Sequence, residues 1–122
     1  MKTGRKITGG KYKKPHKKKL QERPGEKKTI YLGEEKRKSK RSMGGSKKTF
    51  LLKGKYISIP TSSGKKHKKL EIKNVVETPS NRFLARQNIL TKGTIVETPE
   101  GNAKITNRPT QEGTINGVFV KE

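Results

Sequence analysis

The sequence predicts a mostly β protein: a small antiparallel β-barrel of about six short strands with a long basic N-terminal extension. Residues 1–69 hold 25 Lys/Arg and 4 Glu, whereas residues 70–122 hold 7 Lys/Arg and 6 Glu, so nearly all of the net charge of +22 lies in the first part. Apolar residues make up 25% of the chain and concentrate after Thr49. There, short runs of β-favouring residues alternate with Gly/Pro turns, a pattern typical of small barrels and sandwiches.

Residues 1–48 are predicted to form an extension that is disordered alone and becomes ordered on a polyanionic partner. Their few apolar side chains cannot offset the entropy of ordering the backbone, roughly 1–2 kcal/mol per residue. Gly and Pro exclude a long helix, so the segment 15–22 allows only a short helix on binding. The segment 28–32 can add a strand to the body because it is rich in β-favouring residues, and Gly44-Gly45 is expected to be a flexible joint.

Residues 49–122 are predicted to form the β-barrel body. Its first strands end at Pro60, with Phe50 and Leu52 facing inward. The inward-facing positions then change from even to odd numbers, with Ile57 and Ile59 facing inward. Gly54 lies between the two sets, where a bulge or bend would accommodate the extra residue. The core of this body is expected to be small, which argues against a pocket for a small-molecule substrate.

The rest of the body is predicted as strands joined by turns and loops. The strand segments are 70–76, 94–98, 103–106 and 114–120, with Ile95 and Phe119 as candidate core positions. Pro99-Glu100-Gly101-Asn102 is predicted to be a hairpin turn. The segments 60–69, which has a basic tip, and 108–113 are predicted to be loops. The segment 82–90 fits a short helix or a strand; we favour an extended conformation, since its apolar positions do not hold a 3.6-residue period.

The strongest functional signal is a dense set of cations with Gly and Pro between them, which lets the backbone follow a phosphate chain. Neutralising phosphates releases condensed counterions, so binding is expected to weaken steeply with salt. The alternative is a solvated tail that only keeps the protein soluble. The same blocks include Lys27, Lys28 and Lys36. The candidate RNA-binding residues are Arg5, Lys6, Lys11, Tyr12, Lys13, Lys14, His16, Lys17, Lys18, Lys19, Arg23, Arg37, Lys38, Lys40, Arg41, Lys47 and Lys48.

Aromatic residues are scarce in the basic region, which holds only Tyr12, His16 and Tyr31. Readers of single-stranded RNA usually stack bases on several exposed aromatic rings. The composition therefore favours recognition of the backbone and shape of a folded nucleic acid over sequence readout. Tyr12 is either a stacking residue or an incidental aromatic in an irregular segment.

Other functional classes find little support in the sequence. The chain has no Cys and no Asp, and His16 and His67 have no nearby metal-ligand partners, so we expect neither a metal site nor a cofactor. No catalytic triad or glycine-rich nucleotide loop occurs, so we expect no enzyme; Gly9-Gly10-Lys11 alone is a weak phosphate cradle. No apolar stretch has the length of a membrane span or the form of a secretory signal, so we expect no membrane partner.

Several motifs, in their order and spacing, resemble the small-subunit ribosomal protein family S-eight-e of archaea and eukaryotes, and the archaeal form in particular. In chain order the motifs are Gly4-Arg5-Lys6-Ile7-Thr8-Gly9-Gly10, the basic run 13–19 with Arg23-Pro24, Gly44-Gly45-Ser46-Lys47 before Leu51-Leu52, Val75-Val76-Glu77-Thr78-Pro79-Ser80-Asn81-Arg82, Asn88-Ile89-Leu90-Thr91-Lys92-Gly93-Thr94-Ile95, and Arg108-Pro109-Thr110-Gln111-Glu112-Gly113 with Asn116-Gly117-Val118. The chain departs from the family pattern in having Lys at many positions where Arg is usual.

The resemblance implies a β-barrel body seated on small-subunit ribosomal RNA, with the basic extension threaded between RNA helices. It implies a structural role in subunit assembly and translation, no catalysis, and neighbouring small-subunit ribosomal proteins as further partners. The implied location is the cytoplasm, in the small ribosomal subunit. The alternatives are a general nucleic-acid chaperone or DNA-compacting protein and, third, an enzyme of RNA processing.

Overall fold

Nine short strands and two short α-helices make up the regular structure of this computed structural model, which describes residues 4–13, 16–61 and 66–120. The strands are β1 (Tyr31–Leu32), β2 (Lys36–Arg41), β3 (Lys47–Gly54), β4 (Tyr56–Pro60), β5 (His67–Glu71), β6 (Asn74–Glu77), β7 (Ile95–Thr98), β8 (Gly101–Ile105) and β9 (Gly117–Phe119). The helices are α1 (Arg82–Arg86) and α2 (Pro109–Glu112). A single 3₁₀ turn spans Leu20–Glu22. The mostly β class is therefore confirmed.

The strands form three sheets, ordered β1-β3-β2, β4-β5 and β6-β7-β8-β9. All pairs are antiparallel except β1 with β3, which is parallel. In the described part of the chain, single bridges join Ser58 of β4 to Asn116 and Tyr31 of β1 to Ile89, and both partners lie outside the strands. The predicted closed barrel is therefore corrected to three separate sheets, because β3 pairs with β1 and β2 while β4 pairs only with β5.

One cluster of buried apolar side chains joins the three sheets. Its members are Ile30, Leu51, Ile57, Ile59, Leu70, Ile72, Val75, Leu90, Val96, Ala103, Ile105 and Ile115. All but Ile30 follow Thr49, as the distribution of apolar residues predicts. In the N-terminal part that the structure describes, residues 4–13 and 16–29 are exposed throughout. Ile30 is the first buried side chain, and β1, which follows it, lies in the segment for which an added strand was expected.

The inward phase of β3 differs from the prediction. Leu51, not Leu52, belongs to the core, and Leu52 is only half-buried. Phe50 is also buried, but on the opposite face of the sheet, where the Lys28 ammonium lies 3.0 Å from its ring centroid. Sequence periodicity could not separate these two environments, since successive residues of a strand point to opposite faces and both faces of β3 are covered here.

The body also contains two short helices, one where an extended conformation was favoured over a helix and one in a predicted loop. The segment 82–90 is not extended, because α1 begins after Asn81, whose side chain accepts a hydrogen bond from the Phe83 backbone N–H at 3.0 Å. The segment 108–113 is not only a loop, because it contains α2, with Pro at its first position and Gly113 in the left-handed conformation after its end.

Several strand limits also change. The predicted strand 70–76 is two strands, β5 and β6, and Val76 is exposed. The predicted hairpin turn at 99–102 is confirmed in outline, since β7 and β8 flank it, with Thr98 opposite Gly101. In the predicted loop 60–69, β4 includes Pro60 and β5 begins at His67, whereas residues 62–65 lie outside the described residues.

The two candidate core positions near the C-terminus do not behave as expected. Ile95 is half-buried, and Phe119 is 40% exposed. The predicted strand 114–120 is shorter in the structure, where β9 contains only three residues. The buried residue in its place is Ile115, which precedes β9 and belongs to the core.

Gly117 provides the first testable prediction. A Cβ atom added there would lie 2.5 Å from Ile57 Cδ1 and 2.8 Å from the backbone carbonyl oxygen of Lys104. The backbone oxygen cannot move without disturbing the β8–β9 pairing, so we expect Gly117→Ala to lower the free energy of unfolding by about 1–3 kcal/mol. Urea denaturation measures this; Gly25→Ala, in open space, is the matched control and should have little effect. Equal stability of the two variants would contradict the close packing at Gly117.

Candidate nucleic-acid interface

The first basic segment folds back on itself in a tight turn. Arg5 forms an isolated antiparallel bridge with Lys11, and the Lys6 backbone N–H donates to the Gly10 carbonyl at 2.9 Å. The Lys6 ammonium lies 5.8 Å from the ring centroid of Tyr12. These cations, Tyr12 and Lys13 are exposed, so the turn presents charge without an apolar face. Lys14 lies outside the described residues.

The second basic segment is irregular apart from the 3₁₀ turn at Leu20–Glu22. The Lys19 backbone N–H donates to Glu22 Oε2 at 3.0 Å, which closes this turn. His16 Nε2 lies 3.9 Å from the same carboxylate oxygen. The predicted contacts of this segment, which are His16, Lys17, Lys18, Lys19 and Arg23, are all exposed. No cation of this segment lies in the core.

The remaining candidates lie together on one hairpin. Arg37, Lys38, Lys40 and Arg41 are on β2, an edge strand whose six side chains are all exposed, and Lys47 and Lys48 begin β3. The predicted joint at Gly44-Gly45 is the turn of this hairpin: both glycines have positive φ, and the Ser42 backbone N–H donates to the Ser46 carbonyl at 2.7 Å. Pairing with β3 thus organises a segment that contains almost no apolar residue.

The register of this hairpin sets cations opposite each other. Lys40 faces Lys48 and Arg41 faces Lys47 across the two strands. Like charges directly opposite in a sheet are destabilising. Of the candidate residues that the structure describes, only Arg37, which pairs with Glu35, and His16 approach a carboxylate. The hairpin end is therefore a concentration of positive charge that the rest of the described chain does not neutralise.

Acidic residues of the body neutralise other cations. Lys55 Nζ lies 2.9 Å from Glu71 Oε1, and Lys68 pairs with Glu100. The hydrogen bond from Lys55 to Glu71, together with the attraction between the two charges, raises the pKa of Lys55. The glutamates near β4 and β5 are thus paired within the body.

The fold brings Lys27 and Lys28 of the basic blocks, and Lys92 and Arg108, which were not predicted, next to the hairpin. Lys28, which lies over Phe50, is at the junction of two adjoining hollows that also share Thr110 and Gln111. One hollow, of about 660 Å³, is bordered by Lys27, Lys92 and Arg108. The other, of about 710 Å³, is bordered by Lys47 and Lys48. We call these two hollows together the body groove. Lys92 and Arg108 are isolated cations in the sequence, and no local pattern places them beside the basic segments.

The described residues offer little for other chemistry. They contain no group of three or more His, Cys, Asp or Glu side chains that could hold a metal ion. Helices α1 and α2 have five and four residues, and neither could cross a membrane. An exposed, unneutralised basic surface on a small β body is typical of proteins that bind a polyanion, nucleic-acid-binding proteins among them.

The comparison with known proteins identifies the family. The chain belongs to the family described as Ribosomal protein S8e, which matches residues 1–120. It is 41% identical over 121 residues to the small ribosomal subunit protein eS8 of Methanococcus aeolicus, with 97% of this chain and 93% of that protein covered. It is 42% identical over 117 residues to the eS8 protein of Haloarcula marismortui, with 96% and 94% covered. It is 41% identical over 121 residues to the eS8 protein of Sulfurisphaera tokodaii, with 97% and 93% covered.

The family assignment confirms the resemblance seen in the sequence. The match extends over nearly the whole chain, so the basic N-terminal segments and the β body both belong to the family pattern. The family consists of ribosomal structural proteins and is not an enzyme family.

Proposed function

We propose that this chain is a structural constituent of the small ribosomal subunit that binds small-subunit ribosomal RNA and supports subunit assembly and translation. Its place is accordingly the small subunit of the cytoplasmic ribosome, beside neighbouring small-subunit ribosomal proteins. The family match and the names of the relatives support this assignment. The alternative of a general nucleic-acid chaperone or DNA-compacting protein does not account for the family match.

The observation that carries the RNA-binding part is the β2–β3 hairpin. Two cation pairs, Lys40 with Lys48 and Arg41 with Lys47, face each other across an edge of the body. The repulsion within these pairs lowers the stability of the free protein, and phosphates that lie between the charges would offset this repulsion. A solvated tail that serves only solubility has no need of a strand register that opposes like charges.

We further propose that residues 1–48 contain the RNA-binding extension and that the segments before Ile30 take their final arrangement on RNA. The described residues 4–13 and 16–29 bury no side chain, which supports a segment whose shape comes from its partner. The candidate residues from Arg5 to Lys48 would contact phosphates. Few aromatic residues accompany them, so the contacts would read backbone and shape.

Lys17→Gln with Lys18→Gln tests the N-terminal contacts. If both residues bind phosphates, the slope of log K against log salt for folded small-subunit RNA should become shallower by about 1.5 units. The reason is that binding releases fewer condensed counterions when two phosphate contacts are lost. Thermal stability should not change, since both side chains are exposed. Lys73→Gln with Lys104→Gln removes the same charge from the body and is the control.

Two results would count against the proposal. A wild-type chain that binds duplex DNA as tightly as folded small-subunit RNA would favour the chaperone alternative. An unchanged salt slope in the Lys17/Lys18 variant would remove these residues from the interface.

A further inference from the structure

We propose that the body groove binds the sugar–phosphate backbone of a ribosomal RNA strand, as a second contact besides the N-terminal segments 4–13 and 16–25. This inference rests on the proposed function and assigns it a surface of the folded body. The groove consists of the two hollows that meet at Lys28, Thr110 and Gln111. It would make Lys92 and Arg108, which lie far from the basic segments in sequence, RNA-binding residues.

The charge of the groove comes from four separate parts of the chain. These cations are Lys27 and Lys28, Lys47 and Lys48, Lys92, and Arg108. Two acids also border the groove, Glu26 and Glu112. Glu112 is already engaged, since Asn107 Nδ2 donates to its Oε2 at 2.9 Å. Six cations against two carboxylates leave the balance of charge strongly positive.

The chemistry of the walls favours a nucleic-acid backbone over a base or a protein. Phe50 is the only aromatic residue that lines the described groove, and it is 7% exposed beneath the Lys28 ammonium, so no open ring is available for stacking. Of the apolar floor residues, Ile30, Ile89 and Leu90 are buried and Leu84 is half-buried. Protein interfaces are depleted in Lys and enriched in exposed aromatic residues, the opposite of what these walls present. Lysines and hydroxyl groups suit phosphate and ribose.

The groove continues onto the charged hairpin. Lys38 is opposite Phe50 and Lys40 is opposite Lys48 in the β2–β3 register. Because side chains alternate between faces, these four residues share the face of the sheet that borders the groove. Lys38 and Lys40 therefore extend the positive charge of the groove along the hairpin. A positive surface of this kind fits an extended polyanion better than a compact anion.

Lys92→Gln with Arg108→Gln tests the proposal in the full chain. Binding to folded small-subunit RNA is measured over a series of KCl concentrations. We expect the magnitude of the salt slope to fall by about 1.5 units, as for two lost phosphate contacts. Thermal stability should stay at the wild-type value, because both side chains are exposed. Lys73→Gln with Lys104→Gln, outside the groove, should keep the wild-type slope.

The outcomes separate this proposal from the proposed function. If the wild-type chain does not bind the RNA, the proposed function fails. If the wild type binds and the Lys92/Arg108 variant has an unchanged slope, only the groove proposal fails.

A single cysteine identifies the occupant of the groove. The chain contains no Cys, so Gln111→Cys, at an exposed position shared by both hollows, gives a unique thiol for a photocrosslinker. In reconstituted small subunits, we expect crosslinks to ribosomal RNA. Crosslinks to a neighbouring protein would overturn the proposal. It would also be overturned if Gln111→Cys gave no RNA crosslink while Lys18→Cys gave one in the same particles.

Discussion

Replacing Lys40, Arg41, Lys47 and Lys48 with Gln is expected to make the salt slope of RNA binding shallower by about 3 units. All four are exposed, and they form the two facing cation pairs of the β2–β3 hairpin. If each binds a phosphate, each substitution reduces the number of counterions released by roughly one. The measurement is the affinity of the full chain for folded small-subunit RNA over a range of KCl concentrations.

The same variant should be at least as stable as the wild type when free. Like charges that face each other weaken strand pairing, so neutral side chains at these positions relieve repulsion without removing any buried contact. A loss of RNA affinity together with unchanged or higher Tm distinguishes a binding surface from a structural one. A fall in Tm would mean that the hairpin cations support the fold.

Charge reversal at single positions provides a matched comparison. Lys48→Glu places an acid opposite Lys40, whereas Lys104→Glu makes the same change in net charge opposite the uncharged Ile95 and Val118. We expect Lys48→Glu to weaken RNA binding far more than Lys104→Glu. Equal losses would indicate that only the net charge of the protein matters.

Ile57→Ala is expected to have the largest effect on folding. Ile57 is fully buried in the cluster that joins the three sheets, and its Cδ1 atom fills the space above Gly117. Truncation should cost about 2–5 kcal/mol through lost burial and the cavity that remains. This is a large part of the roughly 5–15 kcal/mol that stabilises a typical domain. Urea denaturation of the full chain measures the change.

Phe119→Ala is the control for this prediction. Its side chain is larger than that of Ile57, but it is 40% exposed on the short strand β9. We expect it to cost clearly less than Ile57→Ala. If Phe119→Ala were the more destabilising of the two, the core would have to be placed differently.

The sequence predicted those parts of the fold that have a local cause. The β7–β8 hairpin follows from a Pro/Gly turn between two short β-favouring runs, and the core lies where the apolar residues concentrate. Both helices have local signals in the sequence: Asn81 before the first, and Pro109 followed by Gly113 at the second.

Other features have no local signal. β2 contains no apolar residue, and it is a strand because β3 pairs with it. Leu51 and Leu52 are the same residue type, and only the surrounding sheets determine which is buried. Charge density in the sequence identifies the N-terminal candidates, whereas Lys92 and Arg108 border the body groove through tertiary structure alone.

Amide hydrogen exchange of the full chain, free and bound to folded small-subunit RNA, tests the central claim most directly. The account predicts that binding slows exchange in residues 4–13 and 16–29 and along the β2–β3 hairpin, while the core strands β7 and β8 change little. Identical exchange of these basic segments in the two states would contradict it.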